Sequence, residues 1–176
     1  MRARTGFAVN ELLQQPEYVH ALLVPVLTHA LPFAALGLLA ALLARRRAAV
    51  VLALALVLLS AAAVWPAVHY GQLGYDRVES IADNSGGDWL AVHRHRAEEN
   101  QWIFYAAAAA ALAGLLLPLK WPQSALPCAL LALVVALGAS AVASYIAYAG
   151  GKIRHREFRT GPPPAPELKA AQEDKD

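Results

Sequence analysis

Four long apolar runs, separated by polar segments of unequal length, set the pattern of this chain: Ala21–Ala44, Ala48–Val68, Trp102–Leu119 and Ala125–Ala149. At ~1.5 Å per helical residue, each is long enough to cross ~30 Å of hydrocarbon. Val50–Leu59 and Ala125–Val135 are apolar on every side, unlike the single stripe of a soluble amphipathic helix. The pattern predicts an all-α fold, an integral membrane four-helix bundle whose backbone polar groups are satisfied within each helix.

Four crossings place the N-terminal arm, the loop Gly71–Gln101 and the C-terminal tail on one side, here face A. Face B has two short turns, Arg45–Arg46–Arg47 and Lys120–Trp121–Pro122. In the long loop Tyr75, Val78, Ile81 and Ala82 recur at helical spacing, which predicts a short amphipathic surface helix over Tyr75–Asp83. Asn84–Ser85–Gly86–Gly87 breaks it, and Trp89–Asn100 begins the third helix outside the membrane. The organisation that follows is a polar arm over residues 1–17, with one interfacial turn near Asn10–Gln15, and a membrane domain over 18–158. The Pro-rich polar tail over 159–176 is expected to be disordered. Gly150–Gly151 reads as the stop of the fourth span.

Composition agrees with a membrane bundle. Of 176 residues, 58% are hydrophobic and 16% charged, a balance ill suited to a soluble domain of this length. The net charge of +2, with no basic patch interleaved with aromatics, points away from a nucleic-acid partner. Cys128, the single cysteine, lies in the fourth span and cannot form an intrachain disulfide. No cleavable signal peptide is expected, because Met1–Glu17 has no short apolar core of its own. Four of the 15 Lys/Arg lie on face B and the other eleven on face A, together with all 13 Asp/Glu. The raw count favours a cytoplasmic face A; the dense arginine triplet favours a cytoplasmic face B, and we follow the triplet.

All six histidines, His20, His29, His69, His93, His95 and His155, fall on or toward face A. Counted from the face-B turns, His29 stands ~22 Å up, His69 ~32 Å and His95 ~35 Å. His29 is thus inside the hydrocarbon, flanked by Pro25 and Pro32, which invite a bend. A polar residue within a span is a functional candidate. Imidazole suits heme iron, copper, zinc or proton relay. The alternative is a neutral His29 bonded to a neighbouring helix through Ser60, Ser140 or Ser144. His93 and His95 stand ~200° apart on a helix and cannot both face one partner; His95 is favoured as the inward one. His155 sits in a basic run, and His20 marks the interface. Ala106–Ala111 permits close helix packing or leaves room for a flat group. No nucleophile elbow, P-loop or His-Glu-x-x-His motif marks the chain as an enzyme on its own.

Several segments together carry a resemblance. They are His20–Ala21–Leu22–Leu23, Thr28–His29–Ala30–Leu31–Pro32, His93–Arg94–His95–Arg96–Ala97–Glu98 and Gly150–Gly151–Lys152–Ile153–Arg154–His155. In this order they resemble the small four-span bacterial membrane proteins of domain-of-unknown-function family 2231, over most of residues 18–158. The resemblance implies a bacterial inner membrane protein, with a first-span histidine beside a proline. It departs where the family has His-Glu and this chain has His95–Arg96. The architecture is also similar to di-heme four-helix cytochromes, a likeness of fold alone.

The leading expectation is a b-type heme electron-transfer subunit of a membrane complex. His29 is one axial ligand and His69 or His95 the other, with Tyr105, Tyr145 and Tyr148 at the porphyrin edge. The alternatives are a non-catalytic assembly or anchoring subunit, and a copper- or zinc-binding protein using His29, His95 and His155. The expected partners are the lipid bilayer and other membrane or redox subunits.

Overall fold

A computed structural model describes residues 9–173. The first eight residues of the expected polar arm and the last three of the tail lie outside that range. Seven helices follow one another among the described residues: α1 (Val9–Leu13), α2 (Pro16–Leu43), α3 (Arg47–Leu73), α4 (Tyr75–Ile81), α5 (Asn84–Lys120), α6 (Pro122–Arg154, opened by a 3-10 turn) and α7 (Ala165–Glu173). Helices α2, α3, α5 and α6 are each long and apolar enough to cross a membrane. They pack as two hairpins, α2–α3 and α5–α6, with α3 against α5 and α6 closing back on α2.

Alanines supply most of the buried bundle core, packed around Leu31, Leu38, Leu54, Val57 and Phe104. The bundle axis is lined by small residues, among them Ala35, Ala61, Ala107, Ala111, Ala132, Ala136 and Ala139. Phe33, Leu43, Leu52, Leu59 and Val134 point outward. With lipid as apolar as leucine, burying large side chains gains little, so close backbone approach drives the packing. The alanine run of α5 therefore serves helix contact: Ala107, Ala110 and Ala111 are buried against neighbouring helices.

Two local devices shape the spans. Pro25 has no N–H to donate, and the turn after it, Val26–Ala30, widens to a π-helix before α-geometry resumes at Leu31. Thr28 Oγ1 donates to the Val24 carbonyl at 3.0 Å, occupying an acceptor of the disturbed ladder. At face B, α2 ends in a Schellman turn. Arg45 takes a left-handed φ of 52°, Arg46 N–H reaches Ala41 O at 3.2 Å and Arg45 N–H reaches Leu42 O at 3.1 Å.

The 37 residues of α5 amount to ~55 Å. Its first four turns therefore project above the hydrocarbon on face A. There a second core forms from Tyr75, Trp89, Leu90, Val92, Ala149 and Ile153, with Val78 of α4 and Leu168 of α7 packed on it.

Two expectations are corrected at the C-terminus. Helix α6 does not stop at Gly150–Gly151 but runs to Arg154. Arg159 ends it, donating to Lys152 O and Ile153 O, both at 2.7 Å. The tail expected to be disordered carries α7, with Ala171 buried and Glu167 bonded to Arg96. A polar composition can order when it delivers a counter-ion to a buried charge, which composition alone does not reveal.

Arg159 also joins the two hairpin ends. Its Nη1 donates to both Asp83 oxygens at 2.8 and 3.0 Å, and Arg156 Nε lies 2.8 Å from the same carboxylate. Asp83 is the N-cap of α5, accepting the Gly86 N–H at 2.8 Å. An acid at a helix N-terminus and a base at a C-terminus each interact favourably with the local dipole. The Gly86 N–H, and after it Arg159, hold the Asp83 carboxyl below its ordinary 3.8. Its folded pKa is thus depressed, so its contribution is complete above pH ~4 and is lost as pH falls through the lowered value. Hydrogen exchange of amides 84–87 and 153–159 is therefore expected to speed up below pH ~4, and Asp83→Asn should reproduce that exchange at neutral pH. Unchanged protection in Asp83→Asn would remove the clamp from the account.

Candidate functional site

The two histidines brought together are His20 of α2 and His93 of α5. Their ring centres lie 6.1 Å apart, with ring planes at 84°. Each is held in the same way by the other helix of its own hairpin. His20 Nδ1 lies 2.8 Å from Ala67 O of α3, and His93 Nδ1 lies 3.0 Å from Ile146 O of α6. A carbonyl can only accept, so in the neutral ring each Nδ1 carries the proton and each Nε2 keeps a lone pair.

Glycines make both anchors possible. A helical carbonyl points toward the residue four positions later; here those residues are Gly71 and Gly150. A Cβ on Gly71 would lie 2.9 Å from His20 Nδ1, and one on Gly150 would lie 3.1 Å from His93 Nδ1 and Cε1. Each imidazole therefore fills a notch cut by a missing side chain. The device appears once per hairpin.

The pair borders a cleft at the face-A end of the bundle, lined by all four spans and by α4. Val24, Leu27, Val64, Phe104, Ala143 and Ile146 make most of its wall. Glu17, Arg94 and Glu98 also line it, and Tyr75 and Val78 of α4 contribute to the lining. The cleft encloses 1020 Å³ of interatomic space with its open mouth included, of which 160 Å³ is open to the centre of a water molecule. Arg94 is fixed by Glu98 at 3.9 Å and by the Tyr75 ring at 4.9 Å.

The sequence-derived candidates lie elsewhere. His29 is on the exposed side of α2, its Nδ1 2.8 Å from Thr28 Oγ1. No bond reaches it from Ser60, Ser140 or Ser144; the last two bond to carbonyls of their own helix. His69 is exposed and stacked on Trp65 at 5.6 Å. His155 is exposed beside Glu157 at 2.8 Å. His95 is half-buried. His93, not the favoured His95, is the ring of that pair that borders the cleft, because Trp89, Val92 and Arg96 form the buried face of α5. Tyr145 and Tyr148 sit outside the cleft, over Arg96 and Lys152 respectively. No group of three or more His, Cys, Asp or Glu able to hold a metal ion occurs among the described residues.

His20 looks like an interfacial residue in the sequence, since its partners are 47 positions away. The available signal was a glycine on each even-numbered span, Gly71 and Gly150, at the height of a histidine on each odd one. Using it requires knowing which helices pair. In comparisons with known proteins, no family model, no curated protein and no solved structure matches this chain.

Proposed function

We infer that this chain is a multi-pass membrane protein that carries a b-type heme and passes electrons within a membrane complex, with His20 and His93 as the axial pair. The observation that carries the reading is the matched anchoring of two imidazoles at Nδ1. Metal-binding histidines characteristically donate their other N–H to a carbonyl or carboxylate, which fixes the tautomer and aims the ring. The two ring centres lie 6.1 Å apart, so both residues could contribute to holding one group at this end of the bundle.

The donor set favours heme over a bare ion. Structural zinc takes four protein ligands, whereas a heme needs only two from the protein because the porphyrin supplies the rest. The cleft suits such a group through its apolar walls on all four spans. The 160 Å³ core alone is about the size of a cavity that admits benzene, so a porphyrin needs the mouth as well. When bound, heme iron between two imidazoles supplies reversible one-electron transfer. The protein's part would be to supply the two Nε2 lone pairs of His20 and His93 and to exclude water with the Val, Leu and Phe lining.

A reduced-minus-oxidised absorbance spectrum of the detergent-purified protein tests this. Sharp α and β bands are expected in the wild type and their loss in His20→Ala and His93→Ala, with His29→Ala unaffected. A flat wild-type spectrum after expression with heme supplied would overturn the reading.

A further inference from the structure

Three of the four tryptophans stand on the outside of the spans. Trp89 is 3% exposed in the second core, whereas Trp65 and Trp102 are 63% and 62% exposed on α3 and α5, which pack together. Trp65 lies 18 residues after Arg47 and Trp102 lies 18 residues before Lys120, so both stand ~27 Å above face B. The exposed line of each helix changes character there. On α3 it runs Leu52, Leu56, Leu59 and Ala62 up to Trp65, and His69 and Gln72 continue it above. On α5 it runs Leu116, Leu112 and Ala109 up to Tyr105 and Trp102, and Glu99 follows. His69 lies parallel to the Trp65 ring, with 4° between planes, which brings a polar ring onto the indole. On α6 the aliphatic line Leu130, Val134, Leu137 and Ala141 gives way to Tyr145, ~30 Å above Ala125 and 44% exposed. At face B the exposed Trp121 lies ~28 Å below Trp102 along the helix axis, with Lys120 Nζ 5.1 Å from its ring centre.

An indole pairs a broad apolar ring with one N–H donor, so a membrane-exposed tryptophan is most stable where hydrocarbon meets headgroups. Two adjacent helices each place one at the same height, at the change from aliphatic to polar, and so mark that level independently. We propose that Trp65 and Trp102, with Tyr145, form the surface that contacts the glycerol and headgroup layer of the face-A leaflet and sets the depth of the bundle in the bilayer. The separation from Trp121 agrees with hydrocarbon ~30 Å thick. The proposal rests on the spans alone and not on what the histidine pair holds. It also places the cleft. Leu27, Val64 and Phe104 of its wall stand ~24–26 Å up, below the boundary, whereas Glu98 stands ~33 Å up and Arg94 and Glu17 ~39 Å, above it. The apolar floor is therefore in hydrocarbon. The charged mouth, with His20 and His93 at ~35 and ~40 Å, lies on the aqueous side of the boundary.

Nitroxide labels on single cysteines, in the full-length Cys128→Ala protein reconstituted in phosphatidylcholine vesicles, test the boundary. The labelled positions are Leu59, Ala62, His69 and Gln72 on α3, and Leu112, Ala109 and Glu99 on α5. Collisions with oxygen, which partitions into hydrocarbon, are compared with collisions with a water-soluble nickel chelate. Oxygen is expected to dominate up to Ala62 and Ala109, and nickel from His69 and Glu99 outward. Trp65→Leu with Trp102→Leu should make the His69 and Glu99 labels oxygen-dominated, a rise of the boundary by about one helical turn, ~5 Å. Trp65→Tyr with Trp102→Tyr should leave the boundary in place, because tyrosine also favours the interface. A wild-type crossover a full turn or more from the tryptophans overturns the proposal. So does a leucine double variant that keeps the wild-type crossover, since apolar length alone would then seat the bundle. Labels at Ala62 and Ala109 shielded from both reagents would mean that a second copy covers this surface, and would also overturn it.

Discussion

Gly71→Val is expected to cost about 1–3 kcal/mol of stability and to drive His20 off its carbonyl. Even a single methyl there would come within 2.9 Å of His20 Nδ1, closer than van der Waals contact allows. The ring cannot slide away cheaply, because Ala67 and Gly71 are consecutive points on one helix face. Gly150→Val should act in the same way on His93. The alanine versions should grade: Gly71→Ala stronger than Gly150→Ala, where the added carbon meets His93 at 3.1 Å. Gly37 is the control, since a Cβ there meets nothing within 4 Å. Gly37→Ala should be neutral or gain about 0.5–1 kcal/mol through helix propensity. Thermal unfolding in detergent reads the stability, and nitrogen chemical shifts of the imidazoles read the tautomer. If Gly71→Val keeps His20 protonated at Nδ1 with an unchanged midpoint, the notch is not what positions the ring. This test holds whatever the pair binds.

The second large effect is expected at the C-terminal helix. Arg96 is 5% exposed and is held by Glu167 at 2.7 Å, by Tyr145 O at 3.1 Å and by the Tyr145 ring at 3.9 Å. Removing the partner of a buried charge typically costs 3–5 kcal/mol. Glu167 is itself 29% exposed, so solvent screening brings the expected loss for Glu167→Gln to about 2 kcal/mol. The loss should appear first as release of α7, read as faster proteolysis in the segment between Arg159 and Ala165. Arg96→Met with Glu167→Met should recover most of the bundle's stability, because both charges and their desolvation are removed together. A Glu167→Gln protein with wild-type proteolysis would mean that Leu168 and Ala171 hold α7 without the ion pair.

Both predictions rest on contacts distant in sequence, which explains the limits of reading the chain alone. The His93–His95 choice is an example. Spacing shows that only one can face inward, but Trp89, Val92 and Arg96 set which, and their burial depends on α6, α7 and the second core. Arg96 looks like a solvated charge in a run of charged residues, yet it is buried against a glutamate 71 positions away. His29 attracts attention because an imidazole inside a span is costly. The exposed side of α2 accommodates it through Thr28, one residue away.

The sequence by itself determined what local physics can determine. Apolar length makes four spans, the arginine triplet and Lys120–Trp121–Pro122 make tight turns, and helical spacing makes the α4 surface helix. The alanine run Ala106–Ala111 also signals close helix approach, while the packed bundle decided that Ala107, Ala110 and Ala111 are its buried positions. Tertiary structure decided everything that needs two segments to meet: the pairing of α2 with α3 and of α5 with α6, and the two glycine notches. It also decided the capping of α6 by Arg159, the order of α7 and the seating of Lys152 against Trp89 and Tyr148. Helix formation and membrane insertion follow from each segment's own length and polarity. Which imidazole faces a cleft follows from the register between helices, and that register is a property of the packed bundle.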